Sequence, residues 1–340
     1  MKSKRLAAID IGTNSIRSIV VEADASGSFR ILDDEKVMVR LGEGLHETGR
    51  ISADAAQRAI DALSRQKKII DAYQVRAIEA VATSAVRKAH NGAEFIAAIK
   101  NQVGLTVTTI SGEVEAELAA LSAFNNFDLE GARHLLVDIG GGSLELVSTV
   151  GSHVEEIFSL DLGAVYLTDS FLSQDPISDE ALSRLRRHIR KQLREIPQQE
   201  RSVIGALIGS GGTVTAMAAM STAARKEAYG SMHGCEILRS DVVHLLAMLL
   251  RKNLKERRNI PGLNPDRADI IVAGVTVIDE LLEFFQANLL KVNERGIREG
   301  LILRGLRKHG MIPAEGGRRT WRDSALDFAA SCHVEKNHAL

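Results

Sequence analysis

One device occurs twice in this 340-residue chain, and it restricts the fold more than any other feature. Asp10-Ile-Gly-Thr-Asn-Ser-Ile-Arg17 closes an apolar run near the N-terminus, and Asp138-Ile-Gly-Gly-Gly-Ser-Leu-Glu145 closes another. Residues 6–11 and 134–139 read as short buried strands, and residues 16–22 and 144–150 resume strand character directly after the glycines. Each motif is therefore expected to be a tight hairpin. Two copies predict two related domains whose turns face each other across a shared phosphate.

The chemistry of such a turn follows from its residue types. Glycine lacks a Cβ, so Gly12 and Gly140, Gly141 and Gly142 are expected to take positive φ and let backbone N–H groups converge on an anion. Thr13, Ser15 and Ser143 add hydroxyl donors. A carboxylate beside a phosphate repels it unless a cation lies between them, so Asp10 and Asp138 imply Mg²⁺ or Mn²⁺, hard ions that take oxygen ligands. One Asp-x-Gly hairpin is an ordinary structural turn. Two, each followed by a strand and each carrying hydroxyls, argue for a phosphate site.

The rest of the chain repeats one programme. After the first hairpin come a third strand (29–41), a helix capped by Ser52, a strand (76–82), a helix (93–100), a strand (105–110) and a helix (113–124). The second half restarts with strands over 134–162, a helix (178–196), a strand (202–209) and a helix (214–224), followed by helices at 240–252, 268–285 and 297–308. Single cores stop growing near ~250–300 residues, so about two domains are expected. These are 1–125, rejoined by the helix near 297–312, and 126–313, with 314–340 as linker and helix. The class is α/β.

Composition bounds the partners. Lys plus Arg number 43 against 44 Asp plus Glu, so no global charge marks the chain for nucleic acid or membranes, and any polyanion must meet a local patch. Cys235 and Cys332 are the only cysteines, which fits a reducing cytosol and argues against a thiolate metal site. No apolar run approaches the ~18 residues of a membrane span, and the start is no signal peptide, so a cytoplasmic protein is expected.

Candidate groups for hydrolysis are Glu113, Glu115, Glu117 and Glu145. Glu115 falls in the first turn of a helix, where the helix terminus stabilises a carboxylate, and Glu145 shares a strand face with Ser143. Gly209-Ser-Gly-Gly-Thr213 leaves a strand and enters a helix, making Gly211, Gly212 and Thr213 a third phosphate-loop candidate. Arg87 lies in a turn rich in hydroxyls and small residues. Arg186, Arg190 and Arg194 form one helical stripe, and 251–258 holds a second basic cluster; either could be a solvated face or a polyanion contact.

At this point the ordered motifs resemble the exopolyphosphatase and guanosine pentaphosphate phosphatase (Ppx/GppA) family. They are Asp10 to Arg17, Val39-Arg-Leu-Gly-Glu-Gly-Leu45, Ala82-Thr-Ser-Ala-Val-Arg87, Ser111-Gly-Glu-Val-Glu-Ala116, Asp138 to Ser143, Gly209 to Thr213, His233-Gly, Ile260-Pro-Gly-Leu263, Arg267-Ala-Asp-Ile-Ile-Val-Ala-Gly274 and Arg298-Glu-Gly300. The resemblance runs from Leu6 to about Pro313.

It implies two ribonuclease H-like domains of the actin-like ATPase superfamily with the site in the interdomain cleft. It also implies Mg²⁺-dependent release of terminal orthophosphate from inorganic polyphosphate or guanosine pentaphosphate. Carried over by position, Glu115 matches the catalytic glutamate, Asp138 and Glu145 the acidic metal and water-handling residues, and Arg87 a phosphate-binding arginine. Asn14 and Arg17 belong to the phosphatase version of the first loop, unlike that of sugar kinases.

The resemblance favours a homodimer, and the segment after Pro313 looks like the first helix of the helical domain of long members. A non-catalytic actin-like assembly protein and an actin-fold kinase are the readings from other classes.

Overall fold

The computed structural model describes residues 4–24, 28–129, 133–197, 204, 206–226 and 230–312. The linker and helix expected at 314–340 lie outside the described residues, as do Cys332 and part of the strand expected at 202–209.

The strands are β1 (Arg5–Ile11), β2 (Ser15–Ala23), β3 (Phe29–Met38), β4 (Ala77–Ala82), β5 (Thr108–Thr109), β6 (Arg133–Ile139), β7 (Leu144–Val150), β8 (His153–Leu160), β9 (Leu207–Ser210), β10 (Glu236–Leu238) and β11 (Leu289–Val292). The helices are α1 (Leu45–Thr48), α2 (Ala53–Ala72), α3 (Ser84–Lys88), α4 (Gly92–Val103), α5 (Gly112–Asn126), α6 (Ala164–Phe171), α7 (Asp179–Leu193), α8 (Gly212–Arg225), α9 (Arg239–Leu250), α10 (Leu254–Arg257), α11 (Ile271–Phe284) and α12 (Ile297–Lys308).

The first sheet has the order β3-β2-β1-β4-β5, and the second β10-β11-β9-β6-β7-β8. Both sheets begin third, second, first, fourth strand; the first continues with its fifth, β5, and the second with its sixth, β11, and then its fifth, β10. Each opens as an antiparallel meander and continues in parallel beyond its first strand, β4 beside β1 and β9 beside β6. The repeated order, a meander followed by a parallel strand, agrees with the two ribonuclease H-like domains that the resemblance implies.

Local chemistry explains most element limits. β1 is buried along nearly its whole length, as a strand with neighbours on both edges and helices on its faces must be. Ser52 caps α2 by accepting from Ala55 N, and Ser178 caps α7 by accepting from Ala181 N. β3 stops at Met38 rather than at 41 because Arg40 has φ 50, which a continuing strand excludes. Asn264 caps a 3₁₀ turn at Pro265–Arg267, so the helix expected from 268 begins at Ile271.

Two helices tie the sheets together. α5 sends Leu118 into a core shared with Leu301, Ile302 and Leu306 of α12 and Leu6 and Ala8 of β1. Its other face sends Ala116, Ala120 and Ala123 against Leu136, Val147 and Ile208 of the second sheet. Small residues on that face bring the helix axis close to the sheet. Glu299 of α12 is buried and satisfied by α5, accepting from Ser122 Oγ at 2.9 Å and Asn126 Nδ2 at 2.7 Å.

The α5–α12 crossing depends on one missing methyl group. A Cβ on Gly300 would lie 1.9 Å from the Leu118 carbonyl oxygen, which is backbone and cannot rotate away. Gly300→Ala is expected to lower unfolding free energy by roughly 1–3 kcal/mol, the usual range for overpacking. Urea denaturation checks this; an unchanged midpoint would mean that the helices do not meet there.

Candidate active site

The two hairpins are built alike. β1 pairs with β2 so that Asp10 faces Arg17, and β6 pairs with β7 so that Asp138 faces Glu145. Gly12 N donates to Ser15 O at 3.1 Å, and Gly140 N donates to Ser143 O at 3.0 Å, closing equivalent turns. The carbonyl oxygens of Gly140 and Gly141 are occupied by amides at the start of α6, from Ala164, Val165 and Tyr166. Among the described residues, the amides of Thr13, Asn14, Gly141 and Gly142 donate to no backbone carbonyl.

The turns meet. A Cβ on Gly141 would lie 2.9 Å from Thr13 Cβ, and one on Gly142 would lie 2.9 Å from Thr13 Oγ1 and 2.6 Å from Ser84 Oγ. Close approach, rather than φ, is therefore what these glycines provide: Gly12, Gly140, Gly141 and Gly142 are absent from the positive-φ residues, which corrects the expectation stated above. The cleft glycine that does need a left-handed backbone is Gly211, with φ 95, at the start of α8. Lys88 spans the same gap, donating to Gly142 O at 3.0 Å and pairing with Asp161, while Arg40 reaches Asp269 at 2.6 Å.

One cavity lies between the turns. Its wall includes Asp10, Gly12, Thr13, Asn14, Ser15 and Arg17 from the first hairpin, and Asp138, Gly140, Gly141, Gly142, Ser143 and Glu145 from the second. Glu115, Gly211 and Gly212 complete the expected set that reaches it. The uncapped N-termini of α8 and α12 also line it, through Gly211, Gly212, Gly296 and Ile297, so unpaired helical N–H groups point at any anion bound there.

Some expected residues fall elsewhere. Thr213 is buried behind the loop, where its Oγ1 lies 2.4 Å from the position of a Cβ on Gly274; Thr215 lines the cavity instead. Arg87 is absent from the lining; its Nη1 donates to Ile110 O at 2.7 Å and to the Glu115 carboxylate. Among the candidate glutamates, Glu113 and Glu117 are exposed, and Glu115 is buried at 3% exposure. Gly112 makes that placement possible, since a Cβ there would lie 2.2 Å from Ser159 Oγ.

The basic stripe on α7 is in part a solvated face, with Arg190 and Arg194 exposed, and in part paired with buried acids. Arg186 and Arg190 pair with Asp279 and Glu280, acids buried on α11. In the second cluster, Arg257 is buried and pairs with Asp175.

Electrostatics divide the cavity. On one side burial raises the pKa of Asp10 to about 6 and of Glu115 to about 7, the latter against the stabilising hydrogen bond from Arg87. Burial likewise raises Asp138, and burial with the charges of Glu115 and Asp138 raises Glu145 well above the ordinary carboxylate range. On the other side stand Arg17, Arg267 and Arg298. Burial lowers Arg267 to about 10, helped by the charge of Arg17.

Arg267 and Arg298 are additional site residues, carried by motifs quoted above but far from the hairpins in sequence. Gly212 admits Arg267: a Cβ there would lie 2.2 Å from its Nη1.

Several buried polar atoms around this space have no partner: Asp10 Oδ1, Asn14 Nδ2, Ser84 Oγ and Arg267 Nε. Such atoms require a ligand, an ion or water. The acidic side fits a hard divalent cation by donor type and by the crowding of its carboxyl groups. No group of three or more His, Cys, Asp or Glu among the described residues is arranged to hold a metal ion alone, so phosphate or water oxygens would have to complete the shell.

Burial gives a stability consequence with a definite sign. Asp10 moves from 3.8 to about 6 and Glu115 from 4.5 to about 7, so the folded chain holds more protons than the unfolded chain between about pH 4 and 7. Without metal or phosphate, this contribution to stability is complete below pH 4 and is lost as pH rises through 6 and 7. Asp10→Asn should remove part of that loss, stabilising the chelated protein at pH 8 relative to wild type but not at pH 4. Denaturation across pH measures it, and an equal effect at both pH values would contradict the assignment.

Comparison with known proteins places the chain. A family model described as the Ppx/GppA phosphatase family matches residues 19–309. Exopolyphosphatase 2 of Mycobacterium tuberculosis is 31% identical over 320 residues, covering 89% of this chain and 99% of the relative. The crystal structure of the Aquifex aeolicus Ppx/GppA family member has 31% identity and a TM-score of 0.76, covering 90% of this chain and 98% of that one. An exopolyphosphatase structure from Cytophaga hutchinsonii has 28% identity and a TM-score of 0.84, covering 88% and 98%.

Proposed function

This chain belongs to the Ppx/GppA phosphatase family, and we propose that within it the protein acts as an exopolyphosphatase, releasing terminal orthophosphate from inorganic polyphosphate. The observation that carries this reading is Glu115, a buried carboxylate with a pKa of about 7 that faces two opposed anion-binding turns.

The roles follow from position. The turns at Gly12 to Ser15 and Gly140 to Ser143, with the N-terminus of α8 at Gly211 and Gly212, hold the terminal phosphoryl through backbone N–H groups and hydroxyls. Arg17, Arg267 and Arg298 receive the anionic chain on the basic side. Asp10, Asp138 and Glu145 would hold a divalent ion, Mg²⁺ or Mn²⁺, which when bound neutralises phosphoryl charge.

Glu115 takes a proton from water as the water oxygen bonds to phosphorus and the terminal P–O anhydride bond breaks, leaving orthophosphate and a chain shorter by one phosphate. A base with a pKa near neutrality suits that transfer. Arg87 fixes the Glu115 rotamer and keeps its pKa from rising further, so it acts as a positioning residue. Ser159 does the same for Glu145, donating to Oε1 at 3.2 Å.

Glu115→Gln should cut turnover by roughly 10²–10⁴ with little change in KM, the usual scale for a general base. The assay follows phosphate release from long polyphosphate, short polyphosphate, guanosine pentaphosphate and ATP in parallel, with divalent metal. Release from polyphosphate that is lost in the variant supports the reading. Release from guanosine pentaphosphate alone would replace the substrate, and undiminished release in the variant would remove Glu115 from the role.

A further inference from the structure

The duplicated fold carries a duplicated row of side chains with opposite charge. In the second sheet, Asp138 of β6 faces Glu145 of β7, and Glu145 faces Ser159 of β8. In the first sheet the same three positions are Asp10 of β1, Arg17 of β2 and Lys36 of β3, paired in the same sequence. Residues directly opposite across antiparallel strands project from one face with Cβ atoms about 4.5–5.5 Å apart, and like charges placed so destabilise a sheet. Arg17 and Lys36 are such a pair. A local conflict of this kind is kept where function requires it.

Among the described residues no direct ion pair ties this pair down, although Asp10, Asp34 and Asp138 act on Arg17, and Asp266 on Lys36, through their charge. Arg17, Lys36 and Arg267 make no side-chain hydrogen bond or ion pair among the described residues, whereas Arg298 beside them is held by Asp34. Elsewhere arginines are routinely paired, as with Arg5, Arg40, Arg87, Arg133 and Arg257. Arg17, Arg267 and Arg298 line the cavity; Lys36 does not, and stands exposed one strand further out. The row therefore leads from the hydrolytic centre toward solvent.

We propose that Lys36 is the outer member of a cationic row with Arg17 that binds a phosphate of the substrate chain beyond the one being released. The inference rests on the polyphosphate reading of the site, and it assigns Lys36 to substrate-length recognition, not to chemistry. A substrate too short to reach β3 gains nothing from Lys36, and a longer one gains a charge-assisted contact. The acidic row of the other lobe holds Ser159 at the equivalent position and has no such contact to offer.

The charge of Lys36 can be switched. Partial desolvation, with the positive charges of Arg17 (β2), Arg267 (the 3₁₀ turn) and Arg298 (α12), lowers its pKa to about 8; Asp266 opposes the shift. An arginine at this position keeps its charge between pH 7.5 and 9, so the part of a pH effect that Lys36→Arg abolishes belongs to Lys36.

The test measures equilibrium binding of long polyphosphate and of tripolyphosphate to the full chain as wild type, Lys36→Gln and Lys36→Arg, at pH 7.5 and 9. At pH 7.5 Lys36→Gln should bind long polyphosphate about tenfold more weakly, the scale of one lost charge-assisted contact, with a smaller loss for tripolyphosphate. Raising the pH to 9 should weaken wild type several-fold more than it weakens Lys36→Arg or Lys36→Gln, since only the wild type loses charge at this position. In turnover assays the same variant should raise KM for long chains with kcat within about twofold of wild type.

Equal affinity of wild type and Lys36→Gln for long chains, or a loss identical at both lengths, would overturn the assignment. Failure of wild type to hydrolyse any polyphosphate would instead overturn the catalytic reading. The binding comparison then still decides whether Lys36 receives an anion.

Discussion

The structure is organised around the cost of placing carboxylates in a buried crevice. Asp10, Glu115, Asp138 and Glu145 converge from β1, α5, β6 and β7; burial raises each above its ordinary pKa, and the neighbouring carboxylates add to the shift at Asp10, Glu115 and Glu145. An arrangement of this kind is stable only if protons, cations or both occupy it. The glycine turns bring the lobes close enough for the carboxyl groups to feel one another, and α5 holds Glu115 there because its alanines seat it against the second sheet while Leu118 locks it to α12. Helix packing remote from the chemistry thus sets the distance between the groups that perform it.

Duplication supplies the frame, and divergence supplies the polarity. Matched positions of the two hairpins carry Asp10 and Asp138, then Arg17 against Glu145, then Lys36 against Ser159. A symmetric pair of acidic rows would repel a phosphate chain from both walls. A basic row facing an acidic one lets the crevice hold a polyanion on one side and crowd carboxyl groups on the other. Arg267 and Arg298 strengthen the basic wall from the second half of the chain, so both lobes must be in place before it is complete.

Much of this could be read from residue order. The Asp-x-Gly turns, their flanking strands and the helix carrying Glu115 stand out because apolar periodicity changes abruptly at glycine. Other features depended on three dimensions. Spacing alone does not separate Glu113, Glu115 and Glu117, which only the family resemblance ranked; in the fold Glu115 is the one that is buried, against Arg87. Arg87 carries a phosphate-ligand pattern, and its Nη1 is engaged by Glu115 and Ile110. The stripe on α7 is partly consumed by Asp279 and Glu280, some ninety residues away in the chain.

Short elements also escaped: α3 reads as a turn because five residues carry too little periodicity, and β11, four residues paired between β9 and β10, is too short for its alternation to stand out. Turn glycines were expected to relieve φ, yet here they relieve crowding between Thr13, Ser84 and the opposite loop.

The claim on which the account turns is that both hairpins grip one phosphoryl group. A crystal structure grown with a divalent metal and a phosphate mimic such as tungstate, located by its anomalous signal, tests it most directly. The account predicts one strong peak between residues 12–15 and 140–143, within hydrogen-bonding reach of backbone amides from both turns and beside Glu115. A mimic bound by one turn alone, or away from Glu115, would contradict it.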